Sequence, residues 1–377
     1  MKDVVICAAS AVTALGDSLG ESWARLLRGE CGIRPLERFE TSGYFSKVAA
    51  CVPDLEPGRG GSRLTTLLER TLGGFAEVPP ESLLFLATTK GEIDLLELER
   101  RGAEIDPRRL LSETVLGEIR RRTGVKGPGV NVNAACASAT LALGRGAAAI
   151  ACGDADAALV VCCDLVSEFV FSGFSALKAL SSDRCRPFDA GRDGLSLGEG
   201  GAALLLMERS RADREGRPVL CRLLGWGAAG DAHHITAPAR DGCGLILAVK
   251  RALQVAGIEA QRVDGISAHG TGTVFNDLME LTAFRTLFGD RKVPLHSVKG
   301  ALGHTLGAAG GIEAALAIRS LESGLLPPTV GLRHPEPGGE GCVSAEALTF
   351  PGRILLSTNS GFGGINGALL LSREEAR

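Results

Sequence analysis

Aromatic residues make up only 4% of this 377-residue chain. That leaves little for an aromatic binding surface and points to backbones packed closely around its 51 glycines. A basic excess is also missing, with 41 Lys and Arg against 44 Asp and Glu and a net charge of −3. The chain therefore carries no field to gather nucleic acid or an anionic lipid surface. Its 11 cysteines contain no CxxC and no Cys/His metal spacing, and they sit in apolar runs such as residues 157–163. This argues against a zinc module and a disulfide framework, and for the reducing cytoplasm.

Nucleotide signatures are equally scarce. No GxxxxGK[ST] is present, and the glycine loops GEGGAA (198–203) and GFGGING (361–367) precede apolar, strand-like runs. A dinucleotide fingerprint follows a strand and opens a helix instead. No apolar run approaches the length expected of a membrane span. The first residues, MKDVVICAASAVTALG, could imitate a signal peptide, but Asp3 and the Gly-Asp turn before an amphipathic stretch (18–28) predict a strand, a loop and a helix.

What is present centres on NVNAACASATLALGRGAAAIACG (131–153), where a short strand around Val130 and Val132 turns at Cys136 into small and apolar residues carrying one charge, Arg145. A helix apolar on nearly every face is buried. Gly144 and Gly146 each cost such a helix about 1 kcal/mol relative to alanine, so something packs very close to its backbone. Cys136 then lies at the positive end of the helix dipole, a position that lowers a thiol's pKa and favours the nucleophilic thiolate.

Along the rest of the chain, residues 52–80 are rich in Gly, Pro and charge and read as a loop or lid. A buried strand running into a turn and helix is predicted for 83–101, a helix for 107–122 and a buried strand for 155–165. The C-terminal half repeats this order. HSVKGALGHTLGAAGGIEAALAIRS (296–320) is again strand, turn and Gly/Ala-rich helix, with His304 where Cys136 stood, and NSGFGGINGALLLSR (359–373) mirrors GLSLGEGGAALLLMER (194–209). Strands alternating with helices predict mostly parallel sheets covered by helices, with the buried helices of the two halves back to back. His269, in GISAHGTGT (265–273), and His304 lie in glycine-rich turns after buried strands. With Cys136 they supply the ingredients of thiolate catalysis assisted by paired imidazoles. His233, His234, His296 and His334 are read as ordinary core or surface residues.

These segments, with RPFDAGRDG and DAHHIT, occur in an order that resembles the β-ketoacyl-acyl-carrier-protein synthases over nearly the whole chain. The resemblance implies an α/β thiolase fold with two similar halves, 1–212 and 213–377, in five α-β-α-β-α layers. It implies decarboxylative condensation of a malonyl thioester with an acyl group held on Cys136, and His269 and His304 as the decarboxylation histidines, with Lys299 ahead of the second. Thr271, Thr273, Phe362 and Gly363 match substrate-contacting positions, with Phe362 as gate; Glu280, Glu313 and Asn359 match supporting positions. No redox cofactor or catalytic metal is implied, though a structural monovalent cation near Glu313 and Asn359 is admitted. The implied partners are acyl carrier protein and a second subunit, in a homodimer or with a related chain. The LATTKGEIDLL segment resembles the aryl-polyene and flexirubin-type branch. The rival reading is a chain-length-factor-like partner subunit; such subunits lack the nucleophile, whereas Cys136 is present here. A thiolase is disfavoured because Cys342 lies in no second catalytic-cysteine motif.

Overall fold

The computed structural model describes residues 1–58 and 61–374. Its first half runs β1 (Val4–Val12), α1 (Leu19–Leu27), a small hairpin β2–β3 (Arg34–Pro35 and Val48–Ala49), α2 (Arg63–Leu72), β4 (Leu83–Ala87), α3 (Ile93–Arg100), α4 (Ser112–Thr123), β5 (Gly129–Asn131), α5 (Ser138–Cys152), β6 (Ala157–Asp164), α6 (Glu168–Ala176), β7 (Gly200–Glu208) and α7 (Arg209–Arg214). The second half runs β8 (Cys221–Gly230), α8 (Cys243–Ala256), β9 (Gly265–Ser267), α9 (Val274–Phe288), β10 (Leu295–His296), the one-turn helix α10 (Lys299–Leu302), α11 (Ala309–Ser323), a small pair β11–β12 (Leu325–Leu326 and Leu348–Thr349), β13 (Ile354–Gly361) and β14 (Ile365–Ser372).

The internal repeat is exact at the level of strand pairing. In the order β1-β7-β6-β4-β5, the first two pairings are antiparallel and the next two parallel; β8-β14-β13-β9-β10 follows the same rule. The expected mostly parallel sheets are thus mixed, because β7 and β14 each run against both neighbours. Nor are the two sheets separate. Val5 and Ile6 of β1 pair with Arg222 and Cys221 of β8, joining ten strands through two residue pairs.

Around this sheet the predicted layers form. The central helices α5 and α11 touch each other and both half-sheets, α2 and α4 cover the outside of the first half, and α8 and α9 that of the second. The strands against the central layer are near-continuous apolar runs, as strands covered on both faces must be: every residue of β6 is buried.

The glycines of the central helices mark close approaches. A Cβ added to Gly310 of α11 would lie 2.0 Å from Thr140 Oγ1 of α5, and one on Gly144 would lie 3.2 Å from Trp226 Cβ of β8. The window Ala135–Cys152, with mean hydropathy 1.4, is long and apolar enough to cross a membrane, contrary to the reading of the sequence. It is 67% buried in the core, and its small side chains serve helix-to-sheet packing here.

The expected loop at 52–80 contains α2 instead. Leu64, Leu67, Leu68 and Thr71 are buried on one helical face, and Ser62 caps it by accepting from Leu64 N. The period was present in the sequence, but the Gly- and Pro-rich flanks hid it; residues 59 and 60 of that stretch lie outside the described residues.

Candidate active site

The Cys136 turn joins β5 to α5. Ala135 is a non-glycine residue with φ +49°, a conformation that costs about 1–3 kcal/mol unless its surroundings impose it. Ser138 imposes it: its Oγ donates to Ala135 O at 2.6 Å and accepts from Ala134 N at 2.8 Å. The β13–β14 turn closes over Cys136 from the other half. A Cβ at Gly361 would meet Cys136 N at 3.0 Å, so only glycine lets Phe362 bring its backbone N–H to the sulphur.

Two imidazoles join the thiol. The ligand atoms of Cys136, His269 and His304 all lie within 4.8 Å of one another, all three residues are buried, and the rings stand edge to face with centroids 5.1 Å apart. His269 follows β9, where the Glu280 carboxylate of α9 accepts its backbone N–H at 2.8 Å and that of Gly270 at 2.6 Å. His304 follows α10, and its Nδ1 accepts Leu306 N–H at 3.2 Å. His269 Nδ1 faces Lys299 Nζ at 3.2 Å and Asn359 Nδ2 at 3.1 Å.

Every group next to either Nδ1 is therefore a donor. A neutral imidazole with an accepting Nδ1 carries its hydrogen on Nε2. Burial first, and the Lys299 ammonium second, hold both rings well below the usual histidine pKa, so both are neutral. The result is two Nε2–H groups beside the thiol.

Behind them Lys299 Nζ donates to one Glu313 oxygen and Asn359 Nδ2 to the other at 2.7 Å, while Asn359 Oδ1 accepts from Thr140 Oγ1. The Cys-His-His trio does not fit a metal. A metal-bound histidine donates its other ring N–H to an acceptor, and here each Nδ1 meets donors.

The thiol differs from the sequence-based expectation. Burial pushes Cys136 up to about 11, against the downward pull of the Lys299 ammonium and the Phe362 N–H. The helix N-terminus acts on a desolvated sulphur, and desolvation prevails. Burial and the neighbouring Asp277 likewise push Glu280 up to about 8.

Cys136, His269 and His304 open into a cavity of about 380 Å³ whose wall also holds Thr271, Thr273 and Phe362. The two threonine hydroxyls are 2.9 Å apart. Phe362 stacks on Phe174 of α6, with centroids 5.7 Å apart. Gly363 lies outside that wall; its N–H donates to Ile235 O at 2.6 Å. Lys299, Glu280, Glu313 and Asn359 form the layer behind the wall.

Sequence reasoning missed several residues. Asp164, fully buried at the end of β6, accepts from Thr88, Thr89 and Gly307 N, tying the two halves together below the site. Asp277 accepts from the backbone N–H of Phe188, Thr271 and Gly272 and so shapes the threonine loop. Its signal was a carboxylate in the first turn of a helix after a glycine loop. His296 departs from the ordinary histidine it was read as. It is 2% exposed, neither ring nitrogen has a hydrogen-bond partner among the described residues, and burial lowers it to about 3.

Residues 87–212 match the family pattern described as the N-terminal domain of β-ketoacyl synthases, and residues 220–333 match that of the C-terminal domain. The chain is 32% identical to 3-oxoacyl-[acyl-carrier-protein] synthase 2 of Coxiella burnetii over 98% of each chain. Among solved structures, the ishigamide ketosynthase/chain length factor superposes with a TM-score of 0.90 at 31% identity over 99% of this chain and all of that one. A ketosynthase in complex with its chain length factor, from Xenorhabdus doucetiae, superposes at 0.83 with 26% identity, covering 99% of this chain and 98% of its own.

Proposed function

The chain belongs to the β-ketoacyl synthase family, and from that premise we propose how its residues divide the work of a condensing acyltransferase. It is a ketosynthase of fatty acid or polyketide elongation. In the first half-reaction Cys136 takes the acyl group from a carrier-protein thioester. The oxyanion forms against backbone N–H groups of Cys136 and Phe362, and the thiol proton leaves with the departing pantetheine thiol.

In the second half-reaction a malonyl thioester loses carbon dioxide. The negative charge that develops on its thioester oxygen faces the Nε2–H groups of His269 and His304, which are strongest as donors to that charge. The enolate carbon attacks the acyl carbon, Cys136 departs as a thiolate, and a proton restores the thiol. Lys299 and Asn359 keep His269 in the donating tautomer and Leu306 N–H does so for His304. The single observation that carries this reading is the convergence of one thiol and two neutral imidazoles, both with hydrogen on Nε2. A partner subunit without catalysis would have no need of the donors behind the rings.

The pH dependence separates the two steps. Because Cys136 titrates near 11, the thiolate fraction and the initial rate of self-acylation should rise about tenfold per pH unit from about pH 6 to 9. Both histidines titrate well below their usual value, so decarboxylation should stay flat over the same range. Intact-mass initial rates and release of labelled carbon dioxide measure the two. A decarboxylation profile falling with a midpoint near about 6.5 would contradict neutral, buried imidazoles.

We also propose acyl carrier protein as the donor and a two-chain assembly through β5. That strand is a sheet edge, and its Val130 is 42% exposed; an exposed apolar edge is a ready template for a partner strand. Sedimentation should show a dimer, or a dimer formed only with a related chain, and Val130→Lys should weaken it. A fully active monomer at micromolar concentration would remove this assembly.

A further inference from the structure

A second cavity, of about 410 Å³, has Gly300 of α10 in its wall. Two cysteines share its wall. Cys185, 1% exposed, donates its S–H to Lys299 O at 3.1 Å, and the half-buried Cys31 donates to Gly300 O at 3.4 Å. The two sulphurs thus bond to consecutive carbonyls of one helical turn, and Cys31 packs on the small apolar cluster that contains Cys185. Neighbouring segments enforce this. Gly32 N donates to Ala301 O at 2.7 Å, holding the Cys31 segment along the turn, and Cys185 N donates to Ser196 Oγ at 2.9 Å.

The rim carries charge of one sign. Arg184, Arg186 and Arg333 line the cavity against a single acid, Asp183. A cavity whose wall holds two thiols and three arginines carries the net positive charge that suits an anionic thiol reagent.

We infer that Cys31 and Cys185 form an oxidisable dithiol, a modification site that exchanges with a small anionic disulfide. The Cys31 thiolate attacks one sulphur of the reagent and expels one of its thiols, leaving a mixed disulfide. Cys185, which burial holds as the thiol, passes its proton to the departing sulphur as it attacks the Cys31 sulphur and expels the second thiol. Two protein thiols are oxidised to one disulfide, the reagent disulfide is reduced to two thiols, and the two protons leave with them.

Closing the bond removes both S–H donors from the turn that carries Lys299. Lys299 Nζ holds His269 Nδ1 at 3.2 Å, so the consequence falls on the decarboxylation site. The cysteine chemistry stands apart from the ketosynthase reading, and only the activity readout rests on it.

The test treats the full chain with oxidised glutathione and maps peptides without reduction. The expected result is a Cys31–Cys185 cross-linked peptide with the loss of two hydrogens. Carbon dioxide release from malonyl thioester should fall about tenfold, the scale of one disturbed charged hydrogen bond, and return with dithiothreitol. Cys31→Ala and, separately, Cys185→Ala should each abolish the cross-link and the reversible loss. Cystamine, which is cationic, should react several-fold more slowly past the arginines. A stable glutathione adduct on Cys31 with Cys185 still free, or modification confined to Cys136, Cys152 or Cys243, would overturn the inference; a cross-link that leaves carbon dioxide release unchanged would establish the dithiol and overturn its coupling to Lys299.

Discussion

Replacing Cys136 by alanine is expected to abolish self-acylation and condensation, by about a millionfold where the step depends wholly on a nucleophile, while carbon dioxide release from malonyl thioester persists. The reason is spatial. In the proposed division of work Sγ accepts the acyl group and His269 and His304 donate to the enolate oxygen, and both rings keep their tautomer-setting partners without the sulphur. The change removes one atom from a site only 7% exposed, so the fold should survive it. Intact mass after incubation with acyl-carrier-protein thioesters, beside labelled carbon dioxide release, gives both readings on one preparation. Acylation of the variant at Cys31 or Cys152 would mean that the nucleophile has been misassigned.

His304→Ala should give the opposite separation. The variant still accepts an acyl group, although more slowly, but loses about 10² to 10³ in decarboxylation, the usual consequence of removing one preorganised donor from a developing oxyanion. Its Nε2 is buried with no hydrogen-bond partner among the described residues, which fits a donor reserved for substrate. Lys299→Ala should weaken both steps less. The ammonium lowers the Cys136 thiol and also supports His269, but it does not line the cavity and touches no reacting atom. Condensation by His304→Ala at a near wild-type rate would break the two-histidine mechanism and restore the partner-subunit reading.

Much of the fold was legible because its signals are local. Uninterrupted apolar runs marked β6 and β7, glycine turns marked their ends, and the recurrence of strand, turn and Gly/Ala-rich helix exposed the repeat that the strand pairings reproduce. Where flanking composition masked a period, as at α2, the helix went unread. The direction of β7 and β14, and hence the mixed character of the sheet, had no local signal at all. Strand direction is set by where a long connection such as residues 165–199 returns the chain to the sheet, which no local pattern records.

The sequence by itself determined which groups could react: one cysteine at a strand-to-helix turn, two histidines in glycine loops, and the lysine and carboxylates near them in the chain. Tertiary structure alone decided their chemical states. The protonation of Cys136 follows from its burial against Phe362 and the Lys299 field, and the Nε2–H tautomers follow from Leu306 N–H, Lys299 and Asn359 standing at each Nδ1. Thiol and imidazole titration depends on desolvation and on charges and donors within a few ångströms. Those neighbours come from both halves of the chain, so no reading of adjacent residues could supply them.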